Sequence, residues 1–403
     1  MRILPSFLLI IIMALTGCSG EQAILAPARA NTVRIVSSLP TRGSSAAQAR
    51  QISEAIELAI KERGSTVDGE TVEYVALEGG SEETGEWSRE RELANATAAT
   101  NDPSVVAYIG PYNSGAATVS LPVTNRAGLL QASPSAAWPG LTLPGWDPGE
   151  PDKYHPAEAR NFLRLMPPDS VQAEAAAMWA SSLGYRSILV LSDGSTYSTG
   201  MAATFIQKAG SLGLAASETV EVEPQSPGDP GARVGSEEAV FYAPSSVGAA
   251  ALIAVSLQDK DTAIFATDTA LDPQFLAQAG AAAERWNILS NSVPTSTLSA
   301  QFIGLFRDEY GAEPGQFAAN AYDIANLVLD GLEAGVGRDR ARMLTYVGKK
   351  SAEASNSSPL TFSSAGDPLH WRASCYTWLD GLFRLDRTFD ESGKEIVSAS
   401  PPP

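Results

Sequence analysis

The stretch 105–114, VVAYIGPYNS, decides the fold class. Its first part, Val105–Ile109, is an unbroken apolar run of the kind found in a strand that is buried on both faces of a sheet. The residues after Ile109 are turn formers and polar groups, and they mark a loop that leads into a helix. A strand that is buried on both faces needs helices above and below it, so the run predicts an α/β protein.

The chain before this run alternates strand and helix in the same way. A strand over 32–36 precedes a helix in which Ile52, Ala55, Ile56 and Ala59 share one face. A strand over 72–77 and a helix over about 87–100 follow. Repeated β-α-β units predict a parallel sheet with right-handed crossovers.

A second series of such units begins near Ser187, with apolar runs at 188–191, 239–242, 263–265 and 288–289. We therefore predict two Rossmann-like lobes with parallel sheets. Patterns for helices at 299–310 and 316–334, and for strands at 373–379 and 382–388, predict that the chain passes between the lobes three times. The expected N-terminal lobe is 32–166 plus 297–346, the C-terminal lobe is 167–296 plus 347–392, and 393–403 is a disordered tail.

The N-terminus has the pattern of a secretory signal. Arg2 precedes an apolar stretch over 3–15 that is too short to span a membrane. Leu15-Thr16-Gly17-Cys18 resembles the bacterial lipobox, in which cleavage precedes a lipid-modified cysteine. We expect 1–17 to be a lipoprotein signal peptide, Cys18 to be lipidated and 18–31 to be a tether. The alternative is an ordinary signal peptide with a chance cysteine.

Composition excludes several classes of function. The 403 residues carry 28 Lys and Arg against 46 Asp and Glu, a net charge of −18 that disfavours nucleic acid as a partner. Two histidines are too few for a histidine-rich metal site, and two cysteines exclude a zinc ribbon, an iron–sulfur cluster and a disulfide scaffold. With Cys18 lipidated, Cys375 is expected to be a buried small apolar residue. No metal or cofactor is predicted, and the protein is expected to be a monomer.

A search for catalytic motifs finds none of the common ones. The sequence has no G-x-G-x-x-G, P-loop, H-E-x-x-H, G-x-S-x-G or C-x-x-C pattern. His155 and His370 lie in loops, where neither is expected to act as a positioned base. The sequence therefore predicts no enzyme, although it leaves an acidic catalytic pair open.

Two segments carry a specific resemblance. IGPYNSGA at 109–116 and ASPSAAWPGLT at 132–142 resemble the leucine/isoleucine/valine-binding protein family, the type I periplasmic binding proteins of ABC importers. Further matches occur in the family's order over about 32–392, at 161–165, 193–197, 265–268, 321–325 and 360–362. The resemblance implies two lobes that close on a small solute between them.

Ligands of open α/β sheets collect outside the carboxyl ends of the strands. Ser114 begins a helix there, and Ser135 and Ala136 offer backbone groups beside it. The resemblance implies that these loops, with Ala137, hold an amino acid's head group, that Tyr197 closes over it and that Asp268 meets its ammonium. Further possible cleft residues are Tyr112, Asn113, Trp138, Arg42 and Tyr322.

Each candidate also has a purely structural interpretation: Ser114 and Asp268 as helix caps, Ser135 as a turn residue, and Tyr197 as packing. The sequence departs from the family at Ala137, where a threonine hydroxyl is common. It also has no clear match at 242–246 to the aromatic residue that some members place over the ligand side chain. Both departures leave open a different amino acid, an amide or another small carboxylate.

The predicted function is that of an extracytoplasmic, lipid-anchored solute-binding protein of an ABC importer, with a branched-chain or related amino acid as ligand and permease subunits as partners. The alternatives are a ligand-sensing receptor of the same fold, which would control a signalling partner, and an extracytoplasmic hydrolase.

Overall fold

In the computed structural model the chain is described over residues 25–157, 159–223, 233–235, 237–349, 352–353 and 359–398. Two separate large sheets with their own apolar cores divide it into lobe 1 and lobe 2. The expected signal peptide, Cys18 and the first part of the tether lie outside the described residues. Within these ranges, no helix has the length and hydropathy needed to cross a membrane.

Six strands form the sheet of lobe 1: β1 (Thr32–Leu39), β2 (Thr66–Val67), β3 (Glu70–Glu78), β4 (Val105–Ile109), β5 (Leu130–Ser133) and β6 (Phe162–Arg164). Their spatial order is β2-β3-β1-β4-β5-β6, and all neighbours are parallel except β2 and β3. Strand β4 lies between β1 and β5 and is buried along its whole length, as its apolar run predicts.

Helices cover both faces of this sheet. Those from the first part of the chain are α1 (Ala46–Glu62), α2 (Arg89–Asn101) and α3 (Ser114–Arg126), and those from later in the chain are α8 (Ala300–Tyr310), α9 (Gln316–Glu333) and α10 (Arg340–Lys349). The predicted apolar face of α1 is buried and packs on α9. The Ser88 hydroxyl caps α2 by accepting a hydrogen bond from the N–H of Arg91, so this helix begins two residues later than predicted.

Lobe 2 contains the strands β7 (Ser187–Ser192), β8 (Ala215–Ala216), β9 (Val220–Glu221), β10 (Ala239–Tyr242), β11 (Ala263–Thr267), β12 (Trp286–Ser290), β15 (Arg372–Leu379), β16 (Leu382–Asp390) and β17 (Glu395–Ser398). Its helices are α4 (Ser170–Ser182), α5 (Thr196–Ser211), α6 (Val247–Leu257) and α7 (Pro273–Ala279). Neighbours among β7, β10, β11 and β12 are parallel, as predicted. Strands β15, β16 and β17 extend the sheet in antiparallel pairing, so both sheets are mixed rather than purely parallel.

The C-terminal part of the chain differs from the prediction in two places. Residues 395–398, expected in a disordered tail, pair with β16 as β17. Residues expected in the C-terminal lobe from 347 onward include a short hairpin of β13 (Ala352–Glu353) and β14 (Pro359–Leu360). Leu360 packs in the core of lobe 1, and Gly366 O accepts a hydrogen bond from the N–H of Arg164. The third crossing therefore lies after Asp367, and Cys375 is buried in β15 as expected.

The end of the expected tether lies on lobe 1. Leu25 is partly buried against a core cluster that includes Val36 and Tyr108. The carbonyl of Ala26 accepts a hydrogen bond of 2.6 Å from the guanidinium of Arg34, which is itself buried and paired with Asp102. The tether expected over 18–31 is therefore packed on lobe 1 from Leu25 onward.

Glu92 is a buried acid in α2. Ser38 Oγ and Tyr108 Oη donate to its carboxylate over 2.7 and 2.9 Å, and Asn95 Nδ2 donates to Ser38 Oγ. Burial raises the pKa of Glu92 to about 7, although these hydrogen bonds favour the charged form. The folded state therefore holds a proton on Glu92 at a pH where the unfolded chain has lost it.

This raised pKa predicts that the free energy of unfolding falls as pH rises from about 4.5 to about 7, by about 3 kcal/mol from this group. Below the unfolded pKa both states are protonated, so the stabilising contribution is complete there and is lost as pH passes through the folded value. Denaturant titrations across this range should show the decline, and Glu92→Gln should reduce it. Glu90→Gln, on an exposed face of the same helix, should leave it unchanged; equal slopes in all three proteins would contradict the assignment.

Candidate functional site

The lobe 1 side of the cleft is built at the carboxyl ends of β4 and β5. Ser114 begins α3, and its Oγ accepts hydrogen bonds of 3.1 Å from the backbone N–H groups of Ala137 and Trp138. This hydroxyl therefore joins the two predicted ligand loops to each other. Its own proton and the first N–H groups of α3 remain at the positive end of the helix dipole, where an anionic group is favoured.

Ser135 and Ala136 are used inside the loop rather than offered to a ligand as expected. Ser135 Oγ donates to the carbonyl of Tyr112 over 2.8 Å, and the N–H of Ala136 donates to Ser133 Oγ over 2.9 Å. The carbonyl of Ala137 accepts from the N–H of Asp169, which is a direct bond from lobe 1 to the first crossing. These residues shape the loop, so the ligand donors of lobe 1 are fewer than predicted.

Tyr112 and Asn113 line the same edge. The Tyr112 ring packs edge-on against Phe317 of α9. The side-chain oxygen of Asn113 is buried and has no hydrogen-bond donor among the described residues. Because a buried carbonyl oxygen without a donor is costly, Asn113 is a candidate acceptor for a ligand N–H.

The lobe 2 side contains a pair of carboxylates. Asp268 directly follows β11, and Asp169 precedes α4 at the first crossing. Gln172 connects them, because its Nε2 donates to Asp169 Oδ1 over 3.2 Å and its Oε1 accepts from the N–H of Asp268 over 2.9 Å. Asn291 also donates to Asp169 Oδ1, and Ser290 Oγ donates to Asp268 Oδ2.

The pKa values of both carboxyl groups, Asp169 and Asp268, are raised. Burial, and then the negative charge of Asp268, raise the pKa of Asp169 to about 7. Burial also raises the pKa of Asp268, against the hydrogen bonds from Ser290 and Gln172. A cation close to the carboxylates would lower both pKa values, because a positive charge favours the ionised form of an acid.

Tyr197 lies in the first turn of α5, where it was predicted to close the cleft. Burial, followed by the charges of Asp169 and Asp268, raises the pKa of its phenol well above the usual value. The structure therefore places Tyr197 close to Asp169 and Asp268. Asp193, at the end of β7, is a further acid on this side. Although burial opposes its ionisation, hydrogen bonds from Ser195 and Ser245 hold its pKa below the usual value.

An aromatic pair lies where the long loop of lobe 1 meets lobe 2. Trp138 packs edge-on against Trp146 with ring centroids 5.4 Å apart, and its Nε1 donates to Glu150. Trp146 also packs against the core of lobe 2, where a Cβ at Gly200 of α5 would lie 2.3 Å from its ring. The long loop of lobe 1 thus touches lobe 2 through Trp146.

Two predicted cleft residues point elsewhere. Arg42 is half exposed, lies 3.7 Å from Glu78 and donates to the carbonyl of Ser81. Tyr322 packs against Phe302, and its hydroxyl donates to Glu62 near the end of α1. The structure places neither side chain with the acidic pair.

Sequence reasoning missed four groups that the structure adds to the site: Asp169, Gln172, Thr267 and Trp146. The sequence shows Asp169 and Gln172 in capping-box spacing, yet the Asp169 side chain makes no cap hydrogen bond. The signal that points to Asp169 is its position directly before a helix that starts at a crossing between the lobes, because a side chain there can reach the cleft. Among the described residues, no group of three or more His, Cys, Asp or Glu could hold a metal ion.

A family model described as periplasmic binding protein matches residues 32–354. The fold is similar to that of a leucine-binding protein of Thermotoga maritima, with 22% identity, a TM-score of 0.66, and coverage of 90% of this chain and 99% of the other. It is also similar to a branched-chain amino acid transporter substrate-binding protein of Streptococcus pneumoniae in complex with isoleucine, with 22% identity, a TM-score of 0.64, and coverage of 89% and 98%.

A third similar structure has a different kind of ligand. It is a solute-binding protein of an ABC transporter from Rhodopseudomonas palustris in complex with 3,4-dihydroxybenzoic acid, with 18% identity, a TM-score of 0.63, and coverage of 89% and 98%. A comparison with the sequences of curated proteins finds no match. At these identities the solved structures establish the fold.

Proposed function

The chain belongs to the periplasmic binding protein family, and we propose on that basis that it is a lipid-anchored solute-binding protein that delivers a small amino acid to an ABC importer. The family consists of solute-binding proteins rather than enzymes, and its location is extracytoplasmic. The ligand, the import role and the anchor are the proposed elements.

The observation that carries the proposal is the polarity of the two cleft walls. Lobe 1 presents the N-terminus of α3 with the Ser114 hydroxyl, and lobe 2 presents Asp268 and Asp169. An amino acid lying across the gap would place its carboxylate at the first wall and its ammonium at the second. Charged hydrogen bonds of this kind fix the orientation of a ligand and reject molecules that lack either group.

The two charged walls also explain why a ligand would close the lobes. A ligand that touches both walls makes more contacts when the lobes are closed, so it shifts the hinge toward the closed state. The Trp146 contact with α5 supports a closed form that a permease can recognise. No bond of the ligand needs to be made or broken, because transport energy comes from the partner ATPase.

The charges of the two walls favour an amino acid over an aromatic acid as the ligand. An aromatic acid, as bound by the Rhodopseudomonas palustris protein, carries an anion and no ammonium. Such a ligand offers no positive partner to Asp268 and Asp169, so it would gain nothing from the acidic wall of lobe 2. Because Ala137 has no hydroxyl to offer, the carboxylate end of this site has fewer donors than the family commonly supplies.

A thermal-shift screen over amino acids, amides and small carboxylates tests the proposal. A ligand at one hundred times its Kd adds about 2.7 kcal/mol to the stability of the folded state and raises the unfolding midpoint. We expect amino acids to raise the midpoint and benzoate to leave it unchanged. A midpoint that no amino compound moves, or an amino acid that is converted to a product, would overturn the proposal.

The anchor has its own test. Cys18→Ser should move the protein from the membrane fraction to the soluble fraction after cell disruption, because the sulfur that takes the lipid is lost. Cys375→Ser is the matched control, since this cysteine is buried in lobe 2 and should not affect membrane association. Immunoblots of the two fractions measure the outcome, and a Cys18→Ser protein that stays with the membrane would contradict the lipobox assignment.

A further inference from the structure

Gly200 lies in the interior of α5, where a glycine weakens the helix relative to alanine because it loses more backbone entropy on folding. A Cβ added at Gly200 would overlap the ring of Trp146, and its three nearest atoms all belong to that ring. By contrast, a Cβ at Gly210 of the same helix would have nothing within 4 Å. The missing side chain of Gly200 therefore makes room for an aromatic ring that belongs to lobe 1.

The lobe 1 side of this contact is held by its own hydrogen bonds. Trp146 packs edge-on against Trp138, and the Nε1 of Trp138 donates to the buried carboxylate of Glu150 over 3.1 Å. The same carboxylate accepts a hydrogen bond from the hydroxyl of Tyr154. It also accepts one of 3.1 Å from the N–H of Asp147, the neighbour of Trp146. Groups of lobe 1 alone thus fix the segment that presents the Trp146 ring to lobe 2.

Both ends of the contact adjoin the walls of the cleft. On lobe 1, the backbone N–H of Trp138 donates to Ser114 Oγ at the start of α3 over 3.1 Å. On lobe 2, Gly200 lies about one helical turn along α5 from Tyr197, whose phenol lies close to the acidic pair. A motion that separates the two walls therefore also acts on the Trp146–Gly200 contact.

We propose that the Trp146–Gly200 contact holds the two lobes in their closed arrangement, with or without solute, and that Trp146 is a positioning residue for solute binding. This inference rests on the proposed function and adds the protein's own contribution to closure. The contact joins the lobes outside the three crossings, so it adds to the closed form what the hinge segments do not supply. A larger closed population raises the apparent affinity for a solute that prefers that form.

A double-mutant cycle between Trp146→Ala and Gly200→Ala tests the contact itself. Glycine-to-alanine changes inside a helix normally raise stability, so Gly210→Ala is the matched control and should raise the thermal unfolding midpoint. Gly200→Ala should lower the midpoint, because the new methyl group displaces the Trp146 ring. In protein that already carries Trp146→Ala, the same substitution should raise the midpoint. A shift of the same sign in both backgrounds would overturn the inference.

Small-angle X-ray scattering and calorimetry test the effect on closure. We expect Trp146→Ala and Gly200→Ala each to increase the radius of gyration without solute, and to weaken L-leucine binding at least about threefold through lost aromatic packing. Trp146→Phe, which keeps a ring, should retain most of the affinity, and Gly210→Ala should change neither quantity.

The two measurements separate failure of this inference from failure of the proposed function. An unchanged radius of gyration in Trp146→Ala and Gly200→Ala would overturn the inference, and the proposed function would stand if the unmodified protein binds an amino acid. If the unmodified protein binds no amino compound, the proposed function fails. The scattering comparison then still decides whether the Trp146–Gly200 contact holds the lobes together.

Discussion

Asp268→Asn is expected to weaken binding of an amino acid ligand by roughly 2–5 kcal/mol, because it removes the charge that a buried ammonium requires. Asp268 sits at the carboxyl end of β11, and Ser290 and Gln172 fix its position. The amide keeps the shape and the Ser290 hydrogen bond, so the fold should survive. Calorimetry with the ligand identified by the thermal-shift screen measures the loss.

The control for this variant lies at the opposite end of the same strand. Asp261 precedes β11 and is fully exposed, so Asp261→Asn removes one negative charge without touching the cleft. Its affinity should equal that of the unmodified protein at moderate salt. If Asp268→Asn binds as tightly as Asp261→Asn does, Asp268 is not part of the ligand site.

The fold could be read from the sequence because its signals are local. The apolar run of β4 and the periodic face of α1 each specify an element without reference to the rest of the chain. The sequence predicts where the two C-terminal strands lie along the chain, but not that they pair antiparallel with the sheet. Their pairing depends on which edge of the lobe 2 sheet is open. The sequence predicts the third crossing near 347, too early in the chain. The residue types of Leu360 and Gly366 do not indicate that they pack on lobe 1.

The site was only partly predictable for the same reason. Asp268 and Tyr197 are predicted from their positions after strands, where ligands of α/β sheets collect, and the structure places both near the carboxyl ends of the lobe 2 strands. The sequence does not predict Asp169 as a site residue, because its spacing to Gln172 is that of a helix cap. Its approach to Asp268 depends on the packing of α4 against β11. Ser114 was found for its position, but its two backbone partners come from a loop that the sequence shows only as Pro- and Gly-rich.

The most damaging single change for stability is expected at Asp367. Arg164 is fully buried, and its guanidinium donates to Asp367 over 2.6 Å and to the carbonyl of Trp138 over 2.7 Å. Asp367→Ala would leave that charge buried without its direct ion-pair partner, which typically costs 3–5 kcal/mol. Because Asp367 also precedes the third crossing, the loss should loosen the attachment of that segment to lobe 1. Chemical denaturation at pH 7 measures the free energy of unfolding.

Two comparisons separate this charge effect from simple loss of a contact. Asp367→Asn retains a hydrogen-bond acceptor but not the charge, so its free energy of unfolding should fall between those of Asp367→Ala and the unmodified protein. Asp152→Ala breaks a pair with Arg160 at 2.9 Å in which Asp152 is 88% exposed, and solvent screening should make its effect a small fraction of the loss at Asp367. Equal stabilities for Asp367→Ala and Asp152→Ala would mean that Arg164 does not depend on Asp367, since burial is the property that distinguishes the two ion pairs.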